Sequence, residues 1–574
     1  MRATKILLTF ISLLEIFFPA RGFAQSASQI TPRSFAPPIQ GNSGGFALGE
    51  SPADLATPAG ADALFVTLSS VDVSADSPEL AQQGSVIRAK LVGQRVSGAQ
   101  IFAAARELEA AYAKAGYVLV RVILPPQQLI DGAELHLAVI DGYIERIETG
   151  AVPESVRRRI DRLLKPLEGK RRLKLKEIER RVLLAGDTPG VLLRSTLAPG
   201  TETGATVLII EAKHETADGT ISIDNSLSKD LGSHQLGLGA DLNSLLHAGE
   251  LIYARVNGDP GDGGDFFGAQ PRNRSLAAGF ILPIGINGLT FNVEATKANT
   301  TPVEIEGSQS TDVFERLSLR LRYPWIRSRD FNFASQMVFD AENENSELVE
   351  PAALPLFDDR LRIVRLVQDV NGLNDVGGGF GGAFTTSYGF DAWGARSAAR
   401  ATPALPLSRQ GAGANFAKID GSLSYTQQLA THLNTGITAR GQYAFGRPLE
   451  RSEQIGIADP DSLSAFDAGS LQGDSGLIMR AEVSSPWLLP ATGTRVALLA
   501  SPYVFGAAGE VYAADPTALE PARIRAGSYG AGLRLNGGAA GTLANASLGV
   551  EAARQTGGDT HDVSRFRFVA AVKF

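Results

Sequence analysis

Histidines, acidic loops and glycine-rich turns are where catalysis, metal binding or phosphate binding would be built, and here none has the spacing that such chemistry needs. The six histidines (His136, His214, His234, His247, His432 and His561) are widely separated, without close metal-ligand spacing, and read as ordinary surface or loop residues. Asp259-Pro260-Gly261-Asp262-Gly263-Gly264-Asp265 has the composition of a calcium loop but not the EF-hand order of ligands, so it reads as a turn between strands. The glycine-rich stretch 377–382 lacks the Lys-Ser/Thr ending and βαβ setting of a phosphate cradle. Zero cysteines remove thiol chemistry, thiolate metal sites and disulfide scaffolds. No enzyme, metal or cofactor is expected, and a formal charge of −7 gives no reason to expect nucleic acid. The one dense charge feature is basic. Between Arg157 and Arg181, 12 Lys and Arg stand against only Asp161, Glu168, Glu177 and Glu179. A solvated helix face is the plain reading. The sharper one is a patch, led by Arg157, Arg158 and Arg159, that steers an acidic partner.

The elements that would position such residues fall into several parts, because 574 residues exceed what one core supports. Arg2 and Lys5, the apolar stretch 6–18 and Gly22-Phe23-Ala24 make a signal peptide over 1–24, with cleavage predicted after Ala24. Residues 25–62 are rich in Ser, Gly, Ala and Pro, and read as a linker. Residues 63–214 carry a mixed pattern that runs twice, as two small β-α-α-β-β units over 63–142 and 143–214. In the first, Ser97-Gly98-Ala99-Gln100 has capping-box spacing before Ile101, Ala105, Leu108 and Tyr112, and strands are predicted at 117–124 and 134–140. In the second, a strand at 143–148 precedes helices at 156–167 and 175–184 and strands at 191–197 and 205–212.

From about residue 215 the period becomes two. Leu289, Phe291, Val293 and Ala295 alternate with Thr290, Asn292, Glu294 and Thr296, and Leu477, Met479, Ala481 and Val483 with Ile478, Arg480, Glu482 and Ser484. The last strand sets Phe566, Phe568 and Phe574 against Arg565, Arg567 and Lys573. A polar face so dense in Arg and Glu suits a water-filled lumen, with the other face turned to outer-membrane lipid. Residues 215–574 suit a transmembrane antiparallel β-barrel of roughly 12 to 18 strands. Phe566, Phe568 and Phe574 make a C-terminal assembly signal for the barrel assembly machinery.

These residues resemble the two-partner secretion outer-membrane transporters, the haemolysin secretion/activation family. Gly116-Tyr117-Val118, Pro125-Pro126-Gln127, Asp131-Gly132 and Asp141-Gly142-Tyr143-Ile144 are similar to that family's first periplasmic polypeptide-transport-associated (POTRA) domain. Glu179-Arg180, Pro189-Gly190-Val191 and Leu197-Ala198-Pro199-Gly200 are similar to its second. In the barrel, Asp224-Asn225, Leu282-Pro283-Ile284-Gly285, Tyr323-Pro324-Trp325-Ile326-Arg327-Ser328-Arg329, Arg360-Leu361-Arg362 and Ser452-Glu453-Gln454 extend the resemblance.

The resemblance implies sixteen strands behind two periplasmic α/β POTRA domains. It also implies export of one large β-helical, haemolysin-like client across the outer membrane of a Gram-negative bacterium. The client would bind the POTRA domains, by adding a strand at an edge such as Tyr117, Val118, Leu119, Val120 and Arg121. The alternative is an assembly factor that inserts other barrels. Three departures stand out. Leu463-Ser464-Ala465-Phe466 occupies the place of the family's Val-Arg-Gly-Tyr in the inward sixth loop. Phe505-Gly506-Ala507-Ala508-Gly509 replaces Phe-x-Asp-x-Gly on the facing strand, so the family's Arg and Asp are both missing. Leu463 and Phe466 are therefore expected to hold the loop by packing, with less polar anchoring. Residues 25–62 show no sign of the barrel-plugging helix that many members carry.

Overall fold

The computed structural model describes residues 25–37, 46–47, 57–74, 81–232, 234–261, 266–304, 307–489, 496–539, 542, 544–557 and 563–574. The expected signal peptide lies outside them.

In the first α/β unit, the helix Gly98–Lys114 starts where the capping box places it. Ser97 N donates to Gln100 Oε1 at 2.7 Å, and Gln100 N donates to Ser97 Oγ at 3.3 Å. Gly116 follows at φ +95°, a left-handed stop that a side chain would strain. The strand expected at 117–124 is shorter, Arg121–Ile123, because residues 117–120 turn. Strands Ser70–Ser74, Glu134–Ile140 and Arg121–Ile123 form one sheet in that spatial order. The second unit has the strand Tyr143–Ala151, helices Glu154–Leu164 and Leu175–Gly186, and strands Val191–Pro199 and Ala205–His214.

From Ala217 a single antiparallel sheet closes on itself, its first strand Ala217–Asp224 pairing with its last, Ser564–Lys573. It has sixteen strands, with Ser475–Ser484 and Trp487–Leu489 counted as one because both pair with Val496–Tyr512. Among the described residues, closure leaves the sheet without an edge strand. Phe574 locks the seam. Its N–H donates to Gly219 O at 3.0 Å, Gly219 N donates back at 2.7 Å, and its ring lies where a Cβ on Gly219 would stand.

Burial is inverted relative to a soluble protein. Leu317, Leu321, Met479 and Phe566 are exposed on the outer face, whereas Arg316, Arg320, Arg480 and Arg567 are buried inside. Only lipid makes that arrangement favourable, since an outward apolar band and inward polar residues are what a bilayer and a wet lumen each select. The protein is expected to fractionate with outer membranes and to migrate faster on gels when unheated. Recovery as a soluble periplasmic protein would contradict the barrel.

The lumen and the segments inside it

Inward side chains alternate with lipid-facing ones, so each strand turns every second side chain to the lumen, and many of these are charged. Unpaired, each would cost several kcal/mol in so enclosed a space. They are paired. Glu294 is met by Arg320 at 3.1 Å, Arg316 at 3.5 Å and the Tyr253 hydroxyl at 2.9 Å. Arg365 binds Asp340 at 2.8 Å and Glu453 at 2.6 Å, and Lys418 joins Glu453 at 2.8 Å.

Glu453 belongs to the connection between the strands Leu433–Tyr443 and Ser475–Ser484, which folds inward. It makes its own small hairpin, Ile455–Gly456 against Gln472–Gly473. Leu463, Ser464, Ala465 and Phe466 are all buried at its tip. Leu463 and Phe466 pack with Ile478, Tyr503, Phe505 and Val511, and Ala507 lies at the margin of this cluster. Gly509 is needed where it stands, because a Cβ there would come within 2.9 Å of Ile478 Cδ1 and Leu477 O.

Beside that packing, the tip of the loop is held by polar contacts. Arg480, on the wall, donates to Ser464 Oγ at 3.2 Å, binds Glu551 at 2.7 Å and lies 3.6 Å from the Phe505 ring centroid. Ala465 N donates to Ser528 Oγ at 3.2 Å, Gln555 Nε2 to Ala465 O at 2.9 Å, and Arg567 Nη1 to Ser464 O at 3.3 Å. Arg480, Ala507 and Ser528 are cross-strand neighbours in one row. The guanidinium therefore comes from the wall rather than from the loop. Its trace in the sequence is the polar phase of strand 475–484.

Residues 25–37, expected as linker, occupy the lumen instead. A short helix, Ala27–Ile30, is capped by the Ser26/Gln29 box, whose spacing is visible in the sequence but precedes no apolar run. Ala27 N donates to Asp312 at 2.9 Å, Ser28 N to Glu344 at 3.0 Å and Phe35 N to Glu294 at 2.9 Å. Arg33 pairs with Asp420 at 3.0 Å, and Gln29 Nε2 donates to Gln472 Oε1 at 2.6 Å, tying this segment to the inward loop. A cavity of about 660 Å³ remains beside residues 34–37, lined by Arg320, Asp369, Arg440 and Arg480 among others.

The model of the haemolysin secretion/activation protein family ShlB/FhaC/HecB matches residues 204–535. The chain belongs to that family. The model of the ShlB-type POTRA domain matches residues 70–142. The haemolysin transporter protein HpmB of Proteus mirabilis is 24% identical over 70% of this chain and 68% of its own length. The haem/hemopexin transporter protein HuxB of Haemophilus influenzae is 23% identical over 45% of this chain, which spans 44% of that protein. CdiB from Escherichia coli has the same fold, with a TM-score of 0.68 at 19% identity, covering 96% of this chain and 94% of that one. The family member is an outer-membrane protein with its POTRA domains in the periplasm.

Within this member the candidate client-binding residues scatter. Tyr117, Val118, Leu119 and Val120 sit between the two POTRA domains. Tyr117 and Val120 lie in the first core, Leu119 lies in the second, and Val118 packs against the second. They form no free edge, because a turn sends their side chains to both sides. Arg121 does lie on an edge strand, paired with Ile140 and 3.6 Å from Glu109. Arg157 Nε donates to its own Val152 O at 3.0 Å. Arg159 is buried against the barrel, reaching Gly285 O at 2.5 Å, so it cannot face a client. Arg158 alone of the three is exposed. Two further arginines of the basic run share this docking role. Arg180 donates to Pro324 O at 2.8 Å and Arg181 to Ile286 O at 2.7 Å, while Asp187 returns the contact to Arg327 at 2.8 Å. His214 lies at the same junction, where burial pushes its imidazole pKa below the usual value.

Proposed function

We propose that the protein exports an unfolded partner across the outer membrane, the partner being a large β-helical protein of haemolysin or haemagglutinin type. The POTRA domains receive it, the lumen passes it, and its folding outside supplies direction, so no nucleotide site is needed. One observation carries the reading. The lumen is lined by charges, many of them paired, and two segments of the chain itself, 25–37 and the inward loop, occupy it through reversible polar contacts. Each backbone N–H given to a carboxylate is worth about 1.5–3 kcal/mol, an amount a binding partner can offset.

Removing 63–214 is expected to leave a barrel that inserts but exports nothing. Undiminished secretion from that truncation would remove the POTRA domains from the mechanism. Deleting 25–37 is expected to raise ionic conductance in planar bilayers severalfold. Conductance equal to that of the intact protein would show that this segment does not obstruct the pore.

A further inference from the structure

Where the barrel wall leaves the bilayer on its outer side, its lipid-facing surface changes character. The POTRA domains are periplasmic, so the first strand runs outward and the eighth, Leu354–Leu373, runs inward, with Leu373 at the periplasmic end. The outward face of that strand holds Leu366 and Val364, both exposed, and then Arg362 and Arg360. Arg362 lies eleven residues above Leu373. At about 3.3 Å per residue and a tilt of about 40° that is a rise of about 28 Å, just clear of an apolar band about 25 Å tall. The two arginines therefore stand at the level of the outer-leaflet headgroups. Three rings adjoin them. Phe339, cross-strand from Val364, lies 5.6 Å from Trp393 between centroids, and Phe390 lies 5.4 Å from Trp393, both edge to face. Trp393 is 73% exposed, and its backbone is held at φ +51°, a left-handed conformation that a bulky residue rarely adopts. Arg362 fixes it there, its Nε donating to Trp393 O at 3.1 Å. Strain that turns a ring outward instead of burying it is characteristic of ligand clamps.

We propose that this patch binds the phosphorylated glycolipid of the outer leaflet, with Arg360 and Arg362 on a phosphate and the rings of Trp393, Phe390 and Phe339 against its acyl chains. The charges favour an anion. Arg360 is paired with Asp358 at 3.1 Å, and Arg400, in the same loop as Trp393, with Asp391 at 3.2 Å. Arg362 is different. Among the described residues it donates to uncharged oxygens alone, the backbone oxygens of Trp393, Glu342 and Leu361 and the amide oxygen of Asn343. Its positive charge is therefore left over for a ligand. A guanidinium carries five donors in a planar fork, so Arg360, half exposed, keeps an N–H for a phosphate while it holds Asp358. Position singles out the glycolipid over phospholipids, because the outward leaflet of this membrane is built from it and the arginines stand at that leaflet's headgroups. Its several acyl chains also match a cluster of rings better than a single charged site would need.

The test is native mass spectrometry of the full-length protein in detergent, titrated with lipid A, with the same lipid stripped of its phosphates, and with phosphatidylglycerol. Wild type is expected to hold lipid A about tenfold more tightly than either comparison lipid, the least that a charge-assisted contact is worth. Arg360→Gln should remove about tenfold of the lipid A affinity and leave that of the phosphate-free lipid unchanged. Trp393→Gly should weaken both forms alike, because it removes a ring and no charge. Glycine suits the left-handed backbone at this position, so that variant should fold at least as well as wild type. The unheated gel form reports the folding of each variant, and the comparison of lipids on wild type needs no variant at all. Wild type that holds lipid A no more tightly than either comparison lipid would overturn the proposal. So would lipid A affinity unchanged in either folded variant, which would reduce the rings to an ordinary interfacial girdle.

Discussion

Arg480→Met should detach the inward loop and lower barrel stability by about 3 kcal/mol, the lower end of what stripping one partner from a buried pair costs. Arg480 and Glu551 are each nearly inaccessible, and Glu551 Oε2 accepts from Arg480 at 2.7 Å and from the Tyr503 hydroxyl at 2.8 Å. Methionine keeps the packing against Phe505 and removes the charge. Glu551 is then left in the wall with one hydroxyl, while Arg567, directly across the strand pair, recovers part of the loss. That partial rescue is why the low end of the range applies. Ser464 loses its Oγ donor, so the loop should become cleavable by added protease and conductance should rise. Arg480→Met with Glu551→Leu should restore most of the stability, because no charge is stranded, but not the loop's protection. The checks are the temperature at which the unheated gel form is lost, and proteolysis of the loop in liposomes. A single variant as stable and as protected as wild type would show that Arg480 does not anchor the loop.

The barrel was legible because its signal is local. In the strand 475–484 the outward phase holds Leu477, Met479 and Val483, and the inward phase Ile478 and Arg480, so period two alone sorts lipid from lumen. The helix Gly98–Lys114 was legible for the same reason, its cap and its apolar spacing lying within one window. Residues 25–37 were not, because their partners Asp312, Glu344 and Glu294 lie more than 250 residues away and the segment has no apolar face to announce burial. Among the lumen-loop residues, the position of Leu463 to Phe466 came from resemblance, while their anchors Ser528, Gln555 and Arg567 come from three further strands and leave no joint pattern. The basic run misled differently. Arg159, Arg180 and Arg181 spend their guanidinium groups on backbone carbonyls of the barrel, and a sequence cannot distinguish an arginine that meets carbonyls from one that meets a client.

Putting the family's missing pair back should be costly in one order and mild in the other. Ser464→Arg alone places a third guanidinium beside two, since Arg480 Nη1 is 3.2 Å from Ser464 Oγ and Arg567 Nη1 is 3.3 Å from Ser464 O. Like charges about 4 Å apart repel by about 4 kcal/mol at the effective dielectric of partly buried sites, so a loss of about 3–5 kcal/mol, or expulsion of the loop, is expected. Ala507→Asp alone is different. Position 507 is the direct cross-strand partner of Arg480, so the new carboxylate arrives next to an existing cation and should cost no more than about 2 kcal/mol. When the two changes are combined, the carboxylate introduced at position 507 lies between the guanidinium introduced at position 464 and that of Arg480, and neutralises the repulsion that made the first change severe. The double variant should therefore be more stable than the sum of the singles by at least about 1 kcal/mol, a coupling well beyond the roughly 0.3–0.5 kcal/mol scatter of independent sites. The cycle is read on the midpoint of gel-form loss and, independently, on secretion. Strict additivity in both would mean that residues 464 and 507 do not meet across the lumen, and that the loop rests elsewhere than against this row of the wall.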